Sequence, residues 1–104
     1  MSTKRKSNKK TLDSILEETP SFGETLAAIR KSDEVTQADL ARCVKVSRGL
    51  ICDIEKGRRD ASLKQVARFA KILGYPPEVF LSIYLEEQMK KANLNFKVTL
   101  DEVA

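Results

Sequence analysis

The chain has 104 residues, room for one ordinary globular domain, and its composition (41% hydrophobic, 33% charged) fits a folded, helix-leaning protein rather than a disordered one. It holds no histidine and only two cysteines, Cys43 and Cys52, which excludes an imidazole base, a histidine-containing triad and a structural zinc site; no metal or other cofactor is expected. The formal charge is +4, but residues 1–10 carry +5, residues 11–41 carry −5, residues 42–71 carry +6 and residues 72–104 carry −2, so a polyanionic partner is expected at two places.

In chain order, residues 1–10 have no apolar side chain after Met1 and read as a disordered basic arm. Thr11–Thr19 sets Leu12, Ile15 and Leu16 on one face of a short helix that stops before Pro20. Its three acids leave no signal-peptide core behind the basic start, and no apolar run approaches the roughly 18 residues of a membrane span. With no disulfide framework either, the expected compartment is the cytoplasm.

From Ser21 onward helix-start signals follow one another. Ser21 with Glu24 is a capping box opening a helix to about Lys31, with Phe22, Leu26 and Ile29 inward. Thr36 with Asp39 opens a second helix to about Val44, with Leu40, Ala41 and Val44 inward and Cys43 expected in the core. Ser47 caps a third, ended by Gly57, with Leu50 or Ile51 and Ile54 inward. Ser62 with Gln65 opens a fourth, closed by Gly74, that buries Leu63, Val66, Ala67, Ala70 and Leu73. Pro76–Pro77 starts a fifth, running to about Lys91. After Asn93 the period changes to two: Leu94, Phe96, Val98 and Leu100 alternate, which predicts a C-terminal β-strand in need of a partner.

The second and third helices, joined by Lys45–Val46, have the outline of a helix-turn-helix, whose second helix enters the DNA major groove. The stretch TQADLARCVKVSRGLICDIEKGRR followed by SLKQVARFAKILGYPPEVFL resembles the phage-repressor type (Cro/XRE) helix-turn-helix family over about Ser21–Leu81. The resemblance implies an all-α, compact five-helix repressor-like domain. The expected organisation is then an arm and short helix (1–20), a DNA-binding domain (21–81) and a dimerisation or partner-binding extension (82–104).

Candidate groove-facing residues are the early, outward ones of the third helix: Ser47, Arg48, Gly49, Cys52 and Asp53. Arg48 is the best base reader, since its fork matches the two guanine acceptors, for roughly 1–3 kcal/mol of discrimination. Gln37 stands where the family contacts a phosphate, at a helix N-terminus that suits anions. Lys56, Arg58 and Arg59 follow the third helix as phosphate clamps, which add affinity but little sequence information.

The chain departs from the family's pattern at several places. Lys45 stands where the family has glycine, at a turn position that can require positive φ. Gly49 weakens the reading helix by up to about 1 kcal/mol. Asp53 puts an acid where the family has glutamine, lysine or arginine; it can accept from cytosine, or pair with Arg48 or Arg58. Glu55 reads as half of a structural ion pair rather than as an acid catalyst, and no catalytic constellation is present.

Dimerisation is expected on the fifth helix and the strand, through Phe80, Leu81, Tyr84, Leu85, Met89, Phe96 and Val98. The expected function is a dimeric, sequence-specific autorepressor on an inverted-repeat duplex operator, and not an enzyme. The alternative is an antitoxin that neutralises a toxin protein and autoregulates its operon, using Thr11–Thr19 or Leu94–Leu100 as the extra binding segment.

Overall fold

The computed structural model of the protein describes residues 19–103. Five helices are present among them: α1 (Phe22–Ser32), α2 (Gln37–Val44), α3 (Arg48–Glu55), α4 (Leu63–Leu73) and α5 (Pro77–Lys91). The arm and the Thr11–Thr19 helix expected from the sequence lie outside the described residues, apart from Thr19 itself.

Each of the first four helices begins on a side-chain cap. The Ser21 hydroxyl accepts from the Glu24 amide at 3.0 Å while the Glu24 carboxylate accepts from the Ser21 amide at 3.0 Å. Thr36 with Asp39 and Ser62 with Gln65 make the same reciprocal box, and Ser47 accepts from the Leu50 amide at 3.1 Å. α5 has no side-chain cap and opens instead on Pro77, whose missing N–H would have been unpaired there anyway.

All five helices end alike. Glu34, Lys45, Gly57, Gly74 and Asn93 have positive φ, between 60° and 84°. In each case the following amide reaches back five residues: Val35 to Arg30 O (3.0 Å), Val46 to Ala41 O (3.0 Å), Arg58 to Asp53 O (2.8 Å), Tyr75 to Ala70 O (2.8 Å) and Leu94 to Met89 O (2.8 Å). This left-handed closure satisfies the last carbonyls and turns the chain at once, so the helices fold back on one another through short connectors.

The core gathers one face from every helix, with Leu26, Leu40, Ile51, Val66, Phe69 and Phe80 essentially sealed from solvent. Phe22 sits among three rings, with centroids 6.4 Å from Phe69, 6.0 Å from Phe80 and 5.4 Å from Tyr84, the last two edge-on. Such aromatic pairs add about 0.5–1.5 kcal/mol each beyond their area. The Tyr84 hydroxyl satisfies itself inside the core by donating to Ala61 O at 2.6 Å. α5 also caps α1 directly, because the Phe22 amide donates to the Glu87 carboxylate.

Four expectations are corrected. Residues 94–103 form no strand: with no second strand among the described residues to pair with, the Leu94 amide closes the end of α5 and the Val98 amide donates to Glu86 Oε2 at 2.8 Å. Cys43 is exposed, because the buried row of α2 is Leu40, Ala41 and Val44 and position 43 turns about 100° away from Val44. Leu63, in the first turn of α4, is 54% exposed, and Phe69 takes the core position instead. Phe80 and Tyr84, expected on a dimer surface, are buried within the single chain.

Candidate nucleic-acid interface

α2 and α3 are joined by three residues, Lys45–Ser47. The turn depends on Lys45, which adopts φ 66° and ψ 47° at a position where glycine would be unstrained. At the other end of α2, the Thr36 hydroxyl donates the main stabilisation that holds the Asp39 carboxyl below its ordinary pKa, with Arg42 adding to it.

α3 is locked from its inner face. Ile51 and Ile54 are buried, and next to them Glu55 is only 8% exposed. Arg30 of α1 meets it with two prongs, Nε to Oε2 at 2.7 Å and Nη2 to Oε1 at 3.0 Å. The remaining nitrogen of that fork, Nη1, donates to Val35 O at 2.8 Å, at the connection to α2. Gln37 of α2 then donates to Glu55 Oε1 at 2.9 Å. One carboxylate thus ties α1, α2 and α3 together, and a charge this buried is tolerable only with such partners.

Gly23 sets the crossing of α1 over the end of α3. A Cβ there would lie 2.3 Å from Ile54 O and 2.7 Å from Glu55 O, so the two backbones touch. With the inner face held this way, α3 and its C-cap present Arg48, Gly49 and Lys56 exposed and Cys52 and Asp53 half-buried. Ser47 is exposed at its N-cap.

Of the two partners the sequence offers Asp53, the structure selects Arg58. Its Nη2 and Nε lie 2.9 Å and 3.0 Å from Asp53 Oδ1, and Nη2 lies 3.8 Å from Cys52 Sγ. The positive φ of Gly57 turns the chain so that Arg58 returns along the last turn of α3. Hydrogen bonding to Asp53 raises the guanidinium pKa further, keeping it charged. Lys56 and Arg59 are exposed beside it in the loop that follows α3.

The expected site residues therefore fall into two groups. Ser47, Arg48, Gly49, Cys52, Asp53, Lys56, Arg58 and Arg59 share α3 and its following loop, and Gln37 adjoins them through Glu55. Arg30 and Gly23 escape a sequence reading that looks for chemistry. Spacing carries a signal for Arg30: it stands four residues after buried Leu26, as Glu55 stands four after buried Ile51, so both face inward and need each other. Among the described residues no group of acids or cysteines is arranged to hold a metal ion, and no helix is long and apolar enough to cross a membrane.

A family model described as a helix-turn-helix domain matches residues 21–80, spanning all of α1 to α4 and the start of α5. The chain belongs to the helix-turn-helix domain family. Among solved structures it is similar to the clp gene regulator ClgR from Corynebacterium glutamicum, at 26% identity and a TM-score of 0.56 over 69% of this chain and 77% of that one. No match was found among curated proteins. The matched residues contain every candidate contact on α3 and leave Leu81, Leu85, Met89 and the tail outside.

Proposed function

We propose that this helix-turn-helix protein is a sequence-specific duplex-DNA-binding transcriptional regulator, acting as a dimeric autorepressor in the cytoplasm. The observation that carries this reading is the two-sided character of α3. Its inner face is tied down by Ile51, Ile54 and Glu55, while Arg48, Gly49, Cys52, Asp53 and Lys56 face outward. A rigid helix with an exposed basic and polar face, preceded by a tight turn, is the shape that fits a major groove. Arg48 reads guanine, Lys56, Arg58 and Arg59 hold phosphates, and Ser47 and Gln37 lie at the helix starts beside the backbone. The likeness to a gene regulator supports the same role. The motif resembles the phage-repressor type in particular.

The dimer rests on a different feature. α5 turns Phe80 and Tyr84 into its own core yet leaves Leu81, Ile83, Leu85 and Met89 only half-covered and Val79 42% exposed. Apolar side chains that the core of one chain leaves half-covered gain from a further cover, so a second copy is the partner that completes them. Val98 and Phe96 extend that surface, Phe96 being 65% exposed. The same tail, beside a groove of about 470 Å³ that Pro20, Ile83 and Leu94 help to line, also suits a toxin protein, which keeps the antitoxin reading as the second one.

Gel-shift titration against DNA from upstream of its own gene, with random duplex as competitor, tests the main reading. Retained complex in excess random duplex is expected; equal competition by random duplex contradicts sequence specificity. Copurification of the product of an adjacent gene at equal stoichiometry is the outcome that favours the antitoxin.

A further inference from the structure

An acid on a DNA-reading face is costly, because it sits among phosphates that repel it. Asp53 is such an acid, and in the free protein Arg58 neutralises it through a single oxygen, with both contacts landing on Oδ1. No hydrogen bond to Oδ2 is made among the described residues. Both side chains are substantially exposed, at 39% for Asp53 and 58% for Arg58, so water competes for the pair and it opens readily.

We infer that Asp53 and Arg58 act as one coupled specificity pair, exchanging partners when duplex DNA binds. The inference rests on the DNA-reading role of α3. On DNA, Arg58 leaves the carboxylate for a phosphate, and Asp53 accepts a hydrogen bond from the amino group of a cytosine in the major groove. At a cytosine both groups gain a partner. At guanine or thymine the carboxylate faces the carbonyl acceptors O6 or O4, and at adenine the N7 acceptor beside the amino group repels it, so either Arg58 stays home or Asp53 is left poorly paired among phosphates. Asp53 therefore acts chiefly by rejecting wrong sequences, and Arg58 is the positioning residue that keeps this acid harmless until the right sequence is met.

The test is selection from a random duplex library by full-length wild-type protein, Asp53→Ala, Arg58→Ala and the double variant. Affinities for random duplex and for the wild-type-selected duplex are then measured for all four. The pair is on the surface, so thermal unfolding of the variants should match wild type closely. The wild-type pool is expected to fix a cytosine at one position in each half-site, and Asp53→Ala to lose it. Asp53→Ala should also bind random duplex several-fold tighter and lower the ratio of selected to random affinity about tenfold. Because Arg58 must first leave Asp53, Arg58→Ala should cost more affinity in the Asp53→Ala background than in wild type. An unchanged consensus in the Asp53→Ala pool, or equal Arg58→Ala penalties in the two backgrounds, overturns the proposal. A wild-type protein that binds no duplex overturns the DNA-reading role itself, a separately recognisable result.

Discussion

Arg30 and Glu55 form a two-pronged ion pair between α1 and α3, with side chains only 8% and 5% exposed. Removing one partner strands the other's charge in the interior, at a cost of about 3–5 kcal/mol. Glu55→Ala is therefore expected to lower stability by that amount, read from urea midpoints. Arg30→Met with Glu55→Leu should recover most of it, since apolar replacements of similar volume leave no buried charge. The double variant would still weaken DNA binding, because Gln37 loses the acceptor that orients it. A double variant as unstable as Glu55→Ala contradicts this account of the pair.

Gly23 makes a second, purely steric prediction. Its absent side chain is what lets the backbone of α1 touch Ile54 O and Glu55 O. Gly23→Ala normally favours a helix by about 1 kcal/mol. Here the helices must separate, and a net loss of about 1–3 kcal/mol is expected in denaturant unfolding. A stabilised Gly23→Ala protein is incompatible with the close approach.

Lys45 holds the turn of the motif at positive φ. Lys45→Gly relieves a left-handed conformation worth roughly 1–2 kcal/mol, less the entropy that glycine adds to the unfolded chain, so a gain of about 1 kcal/mol is expected. Gly57→Ala, at φ 76° with open space around it, should lose a comparable amount. Thermal melts of the two variants should move in opposite directions.

Alkaline pH should weaken the fold through Tyr84. Burial, with nearby Asp60 adding to it, raises the phenol above its ordinary 10.0. Lys91 shifts the same way: burial opposes the rise, but Asp60 and Glu87 outweigh it and lift the ammonium above 10.5. For both groups the folded state binds the proton more tightly. Their stabilisation is complete below the unfolded values and is lost as pH climbs through the folded ones. Urea midpoints should thus fall above about pH 10, and Tyr84→Phe should flatten the decline. At neutral pH the same variant costs about 1–3 kcal/mol by leaving Ala61 O unpaired. An equally steep alkaline decline in Tyr84→Phe contradicts the assignment.

Helix starts were legible in the sequence because capping is local: Ser21, Thr36, Ser47 and Ser62 each find their donor within three residues. Glycine marks two helix ends, at Gly57 and Gly74, and the ends expected near Lys31, Val44 and Lys91 fall within a residue of the observed ones. Glu34 takes the same left-handed conformation with nothing in its composition to announce it, whereas Asn93 is a residue type that tolerates it. The outward face of α3 could be read from the inward spacing of Ile51 and Ile54. Arg30 and Gly23 could not be read as readily, since both owe their roles to α3, more than twenty residues away. The alternation from Leu94 to Leu100 misled for a related reason: period two describes a surface, and a strand exists only where a neighbour supplies its hydrogen bonds.

The most direct test of the central claim is a footprint of the full-length protein on the DNA upstream of its own gene. Two protected half-sites are expected, with centres about 10 base pairs apart or a multiple of that, as a two-fold pair of α3 helices requires. Arg48→Ala should abolish the pattern while leaving the thermal midpoint unchanged. Uniform protection, or a wild-type footprint from Arg48→Ala, would contradict the account.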